Sequence, residues 1–291
     1  MVWSKLASAK WEDAWVERLQ FLGRERIAIF MLPGSKRMRV EAYGLTKRDG
    51  ERLVAAFGGQ TRVMKDSGAY LAEGAEVAPL MIRDRLVVVR SAKAAKEVGR
   101  ECKGRPVLII PAAMAFGTGD HATTATCLRM VCDVAEAGDG GAAWEALDLG
   151  TGTGILALAA RVLGAKRCDA WDYDPACVKA TRENARVNGL RGVAAARVDV
   201  MEWMPTRQWE LVTANLFSDL LMKVAGKIAG AVKPGGHLVL SGMLAKQAEE
   251  TLRVFGKCGI RFERVVKKGK WVSAVGGRGL RPQKLKVKSK K

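Results

Sequence analysis

Residues 146–160, ALDLGTGTGILALAA, constrain this chain more than any other stretch. An apolar run leads into three glycines spaced G-x-G-x-G, and these open directly into a second apolar run at helical spacing. Glycine accepts positive φ and leaves no Cβ between backbone and ligand. A strand that turns on glycine and resumes as a helix begins a βαβ unit, whose ligand lies at the carboxyl end of the strand. The spacing departs from the G-x-G-x-x-G that seats a pyrophosphate on a helix N-terminus, so it suits a ligand without phosphates. Taken alone, the triplet is equally a tight strand-to-helix turn.

Asp172 strengthens the ligand reading. It lies 22 residues after Gly150, at the end of the next strand-like run in DAWDYDP. An acid placed there reaches the two hydroxyls of a ribose, and a carboxylate can accept from both. The plainer alternative is a second helix cap beside Asp174. S-adenosylmethionine has a ribose and no phosphate, and so fits both features. Asn215 closes the run LVTAN at what should be the carboxyl edge of the sheet, where its amide can donate and accept at once; it is also a common turn former. Upstream, PAAMAFGTGDHATT (residues 111–124) is more polar and permissive than a chain reversal needs.

From about residue 79 onward the pattern alternates between strand and helix. PLMIRDRLVVV, RPVLII, WEALDL, CDAWD, AAARV, WELVTA, HLVLS, RFERVV and KWVSAV read as strands. TTATCLRMVCDVAE reads as a helix, with further helices at about 154–163, 175–188, 218–231 and 245–256. Asp174 as cap, Pro175 in the first turn and Gly189 as terminator punctuate the helix at 175. Such alternation predicts a mostly parallel sheet with helices on both faces. The first 65 residues instead read strand–helix–strand–strand–helix–strand, the split-βαβ order of a ferredoxin-like α+β domain. Residues 66–78 look like a linker. The expected division is a substrate-recognition domain over 1–70, an α/β domain over 71–278 and a basic tail over 279–291.

Composition narrows the classes further. No apolar run reaches the ~18 residues of a spanning helix, and the N-terminus lacks the apolar core of a signal peptide. A soluble, cytoplasmic, monomeric protein without membrane contact is expected. The six cysteines form no C-x-x-C pair and only two histidines accompany them, so neither a metal site nor a disulfide framework is expected. Net charge is +19, and the last 14 residues hold seven basic residues and no acid. A block of like charge is expected to be disordered and solvated; the alternative is a weak electrostatic contact with ribosomal RNA.

MAFGTGDHATT, ALDLGTGTGILALAARVLGAK, WDYDPACVKATRENARVNG, LVTANLFSDLL and LSGMLAKQAEE together resemble the bacterial family of ribosomal protein L11 methyltransferases, in order and spacing, over roughly residues 79–277. The resemblance implies a class I methyltransferase domain, a Rossmann-like seven-stranded sheet that uses S-adenosylmethionine. It also implies a small N-terminal domain that presents a ribosomal protein, whose lysine or α-amino groups receive the methyl. The family's cofactor contacts fall on Thr124, Gly150, Asp172 and Asn215; Gly152, the second glycine of the turn, joins the candidate set. The AFGTG loop is then expected to close over the methionine end of the cofactor. Two features depart from the family: Pro111-Ala112-Ala113 replace its usual Asp-Pro-Gly, and Asp120 and Ala122 occupy positions that usually carry other residues.

No side chain presents itself as a general base, so no catalytic residue is assigned. His121 is expected to make a hydrogen bond within its loop, and His237, after KPGG, to be structural. Three other readings remain open on the residues. A class I methyltransferase could act on RNA or another protein. An NAD-dependent oxidoreductase would share the sheet, the glycine turn and the acid. A non-catalytic RNA-binding module would account for the charge.

Overall fold

Two units divide the chain, Met1–Glu73 and Gly74–Lys291; the computed structural model describes residues 1–19, 22, 26–32, 35–63, 78–102, 104–111, 119, 121–137, 143–279 and 286–289. The first unit runs β1 (Val2–Ser8), a 3-10 turn at Ala9–Trp11, α1 (Glu12–Leu19), β2 (Ile27–Met31), β3 (Arg37–Ala42), α2 (Lys47–Phe57) and β4 (Gln60–Arg62). Its sheet is antiparallel in the order β2-β3-β1-β4. Trp3, Trp15, Leu19, Met38, Val40 and Leu53 form its core, and Trp3, Trp15 and Phe57 meet as an aromatic trio. Thr46 caps α2 by accepting from the Asp49 amide at 3.1 Å. The linker expected over 66–78 falls almost wholly outside the described residues.

The second unit opens with a small sheet of β5 (Leu80–Ile82), β6 (Leu86–Val89) and β7 (Val107–Ile109), with α3 (Ala92–Glu101) between the last two. The helix α4 (Ala122–Ala137) follows. Then come β8 (Glu145–Leu149), α5 (Ile155–Val162), β9 (Arg167–Asp172), α6 (Pro175–Val187), β10 (Val193–Arg197), β11 (Trp209–Asn215) and α7 (Ser218–Ala231). β12 (Val232–Leu244), α8 (Ala245–Lys257), β13 (Ile260–Lys268), β14 (Trp271–Arg278) and β15 (Lys286–Ser289) complete it. The large sheet has the order β10-β9-β8-β11-β12-β14-β13-β15. It is parallel from β10 to β12, and β14 runs antiparallel to both of its neighbours.

Successive residues of the central strands enter two different cores. Ala146, Leu211, Val239 and Val275 pack with α4 and α5, whereas Leu147, Val212, Leu238 and Ala274 pack with α7 and α8. A strand alternates its side chains between faces, so both faces are buried and each strand reads as a continuous apolar run. α6 is punctuated as its sequence requires: Asp174 accepts from the Ala176 amide at 2.7 Å, and Gly189, at φ +63°, lets Leu190 close on Ala185. No described helix is long and apolar enough to cross a membrane.

Three features differ from the sequence expectation. PLMIRDRLVVV is not one strand but the hairpin β5–β6. α3 is an additional helix, capped by Ser91 on the Ala94 amide; Val98 is its buried side chain. The tail expected to be disordered contributes an eighth strand. β15 pairs in parallel with β13, from Arg264↔Lys286 to Lys267↔Ser289, using the ladder groups an edge strand leaves open. The rest of the tail lies outside the described residues.

The β5–β6 turn places Arg83 and Asp84 at φ +52° and +53°, with the Arg85 amide closing on the Ile82 carbonyl at 3.0 Å. Arg83 is held there by Asp133 of α4, at 3.0 Å, and Arg264 of β13 joins the same carboxylate at 2.6 Å. Asp84 is itself exposed where it pairs with Arg105, and such surface pairs contribute little. Asp84→Gly should therefore stabilise the chain by about 0.5–1 kcal/mol, because glycine occupies the left-handed region without strain. A urea midpoint that stays put or falls would contradict this.

Candidate functional site

The strand order reverses at β8, which has β9 on one side and β11 on the other. Open α/β sheets take their ligands at this point, outside the carboxyl ends of the strands. The glycine turn leaves β8 there, with Gly150, Gly152 and Gly154 all at positive φ (+68°, +56° and +83°). A Cβ on Gly150 would run into the Leu216 side chain, and one on Gly154 into Thr181. These positions therefore require glycine on both conformational and steric grounds.

The turn is tied down on every side. The amides of Gly150 and Thr151 both donate to the Trp171 carbonyl, at 2.8 and 3.0 Å. From α6, Thr181 donates to the Gly152 carbonyl at 3.1 Å and Asn184 to the Thr153 carbonyl at 2.8 Å. Asp172 accepts the Gly152 amide at 2.9 Å and the Asp174 amide at 3.0 Å. Gly152 thus spends its amide on Asp172. The Cys177 thiol also bonds to Asp172, and since a carboxylate accepts roughly four hydrogen bonds, Asp172 is not saturated.

Asp148, one residue before the end of β8, was not singled out by the sequence reading. It is 2% exposed, and its two oxygens accept from the hydroxyls of Thr151 and Thr213, each at 2.6 Å. Burial pushes its carboxyl up to about 6, against the pull of those two hydroxyls, and the Asp172 charge adds to the rise. The alternation D-L-G-T and the Thr two residues before Asn215 were the available signals.

A second cluster lies at the end of β11. The Asn215 amide donates to Thr123 Oγ1 at 3.2 Å, and the same oxygen is 2.7 Å from His121 Nδ1. The His121 ring stands edge-on to Trp271 at 5.2 Å. His121 thus makes the local hydrogen bond its loop position predicts, and His237 lies within β12, where burial lowers its pKa. Thr124 is 1% exposed, and its hydroxyl finds no hydrogen-bond partner among the described residues; the same holds for Ser218 at the start of α7. A buried hydroxyl left unpaired costs on the order of 1–3 kcal/mol, so each is a place where a ligand group would be welcomed. Thr124 belongs to a sequence motif, whereas no motif marks Ser218. The AFGTG loop, apart from Gly119, lies outside the described residues.

A cavity of about 590 Å³ opens at the opposite, amino edge, between Glu145, Arg207, Gln208 and Lys233. Its cations are already paired, Arg207 with Glu145 and Asp169 and Lys233 with Glu210. It has no part in the site.

The family model of ribosomal protein L11 methyltransferases (PrmA) matches residues 69–278. A ribosomal protein L11 methyltransferase from Listeria innocua is 29% identical over 203 residues, 69% of this chain and 62% of the relative. Another, from Pseudomonas aeruginosa, is 43% identical over 143 residues, 49% of this chain and 47% of the relative. The matched segments thus span about half to three-fifths of those relatives' length. The crystal structure of a ribosomal protein L11 methylase from Lactobacillus delbrueckii subsp. bulgaricus superposes with a TM-score of 0.56 at 22% identity, covering 68% of this chain and 97% of that one. It shows the same fold.

The raised pKa of Asp148 carries a stability consequence. The native state holds this proton more tightly than an unfolded chain, so the contribution is fully present below about pH 4 and is lost as pH rises through about 6. The difference amounts to up to about 3 kcal/mol, two pH units at 1.36 kcal/mol each. Asp148→Asn should remove this part of the pH dependence and leave the rest. Stability curves from pH 4 to 8 that run parallel for the two proteins would refute the assignment.

Proposed function

The chain belongs to the ribosomal protein L11 methyltransferase family, and on that premise we propose that it transfers methyl groups from S-adenosylmethionine to lysine or α-amino groups of ribosomal protein L11. The observation that carries the cofactor is the combination at one sheet edge of a glycine turn without the pyrophosphate spacing, an Asp172 carboxylate that is not saturated, and the buried Thr124 hydroxyl, which has no partner among the described residues. Asp172 would hold the ribose and Thr124 the methionine end. Gly150 keeps the Leu216 side chain at the floor of the turn without a clash, and Gly152 steadies Asp172. When bound, the cofactor supplies a sulfonium-activated methyl group.

The chain's own work is to orient an amine and keep it neutral. For a lysine of reference pKa near 10.4, neutrality at pH 7 costs about 4.6 kcal/mol; an α-amino group near 8 costs far less. Desolvation at the site lowers that cost. Asn215 has its amide nitrogen fixed on Thr123, so its oxygen is the group held in a set orientation at this edge, suited to accept from an incoming N–H. No described residue is assigned as a base, and deprotonation by water is the simplest account. The first unit, whose strand order is ferredoxin-like, is proposed to present the substrate protein, and a soluble, cytoplasmic location follows from that substrate.

Incubating the full chain with tritiated S-adenosylmethionine and purified ribosomal protein L11 should label the protein and leave ribosomal RNA unlabelled. Label in RNA alone would overturn the substrate. Asp172→Ala should weaken cofactor binding by roughly ten- to a hundredfold, as expected for a charged hydrogen bond of about 1.5–3 kcal/mol. An unchanged affinity in calorimetry would remove the ribose assignment. A chain beginning near residue 72 should still bind the cofactor but lose methylation of L11; full activity of that chain would refute the division of labour.

A further inference from the structure

We propose that the open face of the N-terminal sheet binds single-stranded RNA, with bases stacking on Phe30 and on the Arg39 guanidinium. The register sets this face. Phe30 of β2 and Leu6 of β1 both pair with Arg39 of β3, forming one row across three strands. Next to it Arg37 pairs with Ser8, and on the far strand Arg62 pairs with Val2 and Gln60 with Ser4. Met38, Val40 and Ala42 alternate with these positions and fill the helix-covered core.

Phe30 and Leu6 are 47% and 45% exposed, and Arg37 and Arg39 are exposed without an ion pair among the described residues. The acid on this face, Glu41, is 3% exposed and already accepts from Tyr43 and Arg62. No exposed carboxylate is left among the described residues of these strands on that side. A groove of about 370 Å³ adjoins the row, between Ser4, Leu6, Arg39 and Gln60.

This combination fits a polyanion with flat faces. An aromatic ring and a planar guanidinium, side by side on a rigid sheet, offer stacking surfaces that suit any base. The neighbouring arginines supply cations for the phosphates. A protein partner would be expected to find a larger apolar centre than two half-exposed side chains. The charge favours RNA, and the face is distinct from the methyl-transfer edge.

The test uses the full chain and a fluorescein-labelled oligouridylate about a dozen nucleotides long, followed by anisotropy at several salt concentrations. Phe30→Ala should weaken binding about tenfold, the loss of one stacked base. Arg39→Gln should also weaken it and flatten the slope of log K against log salt by about 0.7. Arg52→Gln, an exposed position on α2, removes the same charge and should leave affinity within about twofold, less than a phosphate contact is worth. Phe30→Leu keeps the apolar bulk and removes the ring, so it should reproduce the Phe30→Ala loss if the alanine variant melts early. Equal losses in Arg39→Gln and Arg52→Gln would show diffuse attraction to a basic chain and overturn the proposal. Unchanged RNA affinity in Phe30→Ala, with a raised KM for ribosomal protein L11, would overturn it in favour of a protein-docking face.

Discussion

The geometry of the site depends on one buried carboxylate. Asp148 is bound by Thr151 of the glycine turn and by Thr213 of β11, so a single side chain fixes both the path of the turn and its distance from the adjoining strand. A buried charge is tolerable only while it is hydrogen-bonded. The turn must therefore keep Thr151 in place, which holds Gly150 and Gly152 in their left-handed conformations. Asp172 then receives the Gly152 amide, and α6 takes the remaining carbonyls through Thr181 and Asn184. Each member is held by another that is itself held. A ligand would meet a turn already in its final shape, with little ordering left to oppose binding.

The parallel half of the fold was legible because its strands are buried on both faces. Runs such as WEALDL and WELVTA stand out between amphipathic helices, and glycine, Asp-Pro and Asn-Gly mark their limits. Three segments depart from the sequence expectation, each for its own reason. α3 buries a single side chain and is mostly alanine, lysine and glutamate. The β5–β6 hairpin turns on Arg83-Asp84, where aspartate is an ordinary turn residue and arginine is not, and Asp133 on α4 pairs with Arg83 in that conformation. β15 follows the edge of β13 rather than any pattern of its own, and its alternation of lysine with other residues reads as solvated tail until a partner strand is known.

In the site, what was legible was whatever a fixed chain distance controls. Asp172 follows from its spacing to Gly150, and Thr124 and Asn215 from their places in multi-residue motifs. What depends on contact across the fold was not. Asn215 meets Thr123 across a sequence separation of 92, Asp148 meets Thr213 across one of 65, and no local pattern announces either pairing. Gly152 also has a part that its spacing does not announce. Sequence spacing makes it a candidate for direct cofactor contact, whereas the fold uses its amide to hold the Asp172 carboxylate. Ser218 became visible only as a buried hydroxyl without a partner.

Charge separates recognition from chemistry. A chain of net +19 raises the cost of bringing a protonated lysine toward it, and the same positive surroundings lower the pKa of that lysine as it nears the site. The second effect serves the proposed transfer, which needs a neutral amine; the first opposes encounter. Long-range attraction to the reacting group is therefore a poor basis for selecting it. Selection has to rest on contacts remote from the amine, where binding energy can hold a macromolecule without depending on the charge of the group to be modified. The first unit, with its own core, is the part proposed to make such contacts. On the proposal made for its sheet face, the cationic residues that oppose a lysine are the ones that would attract a polyanion.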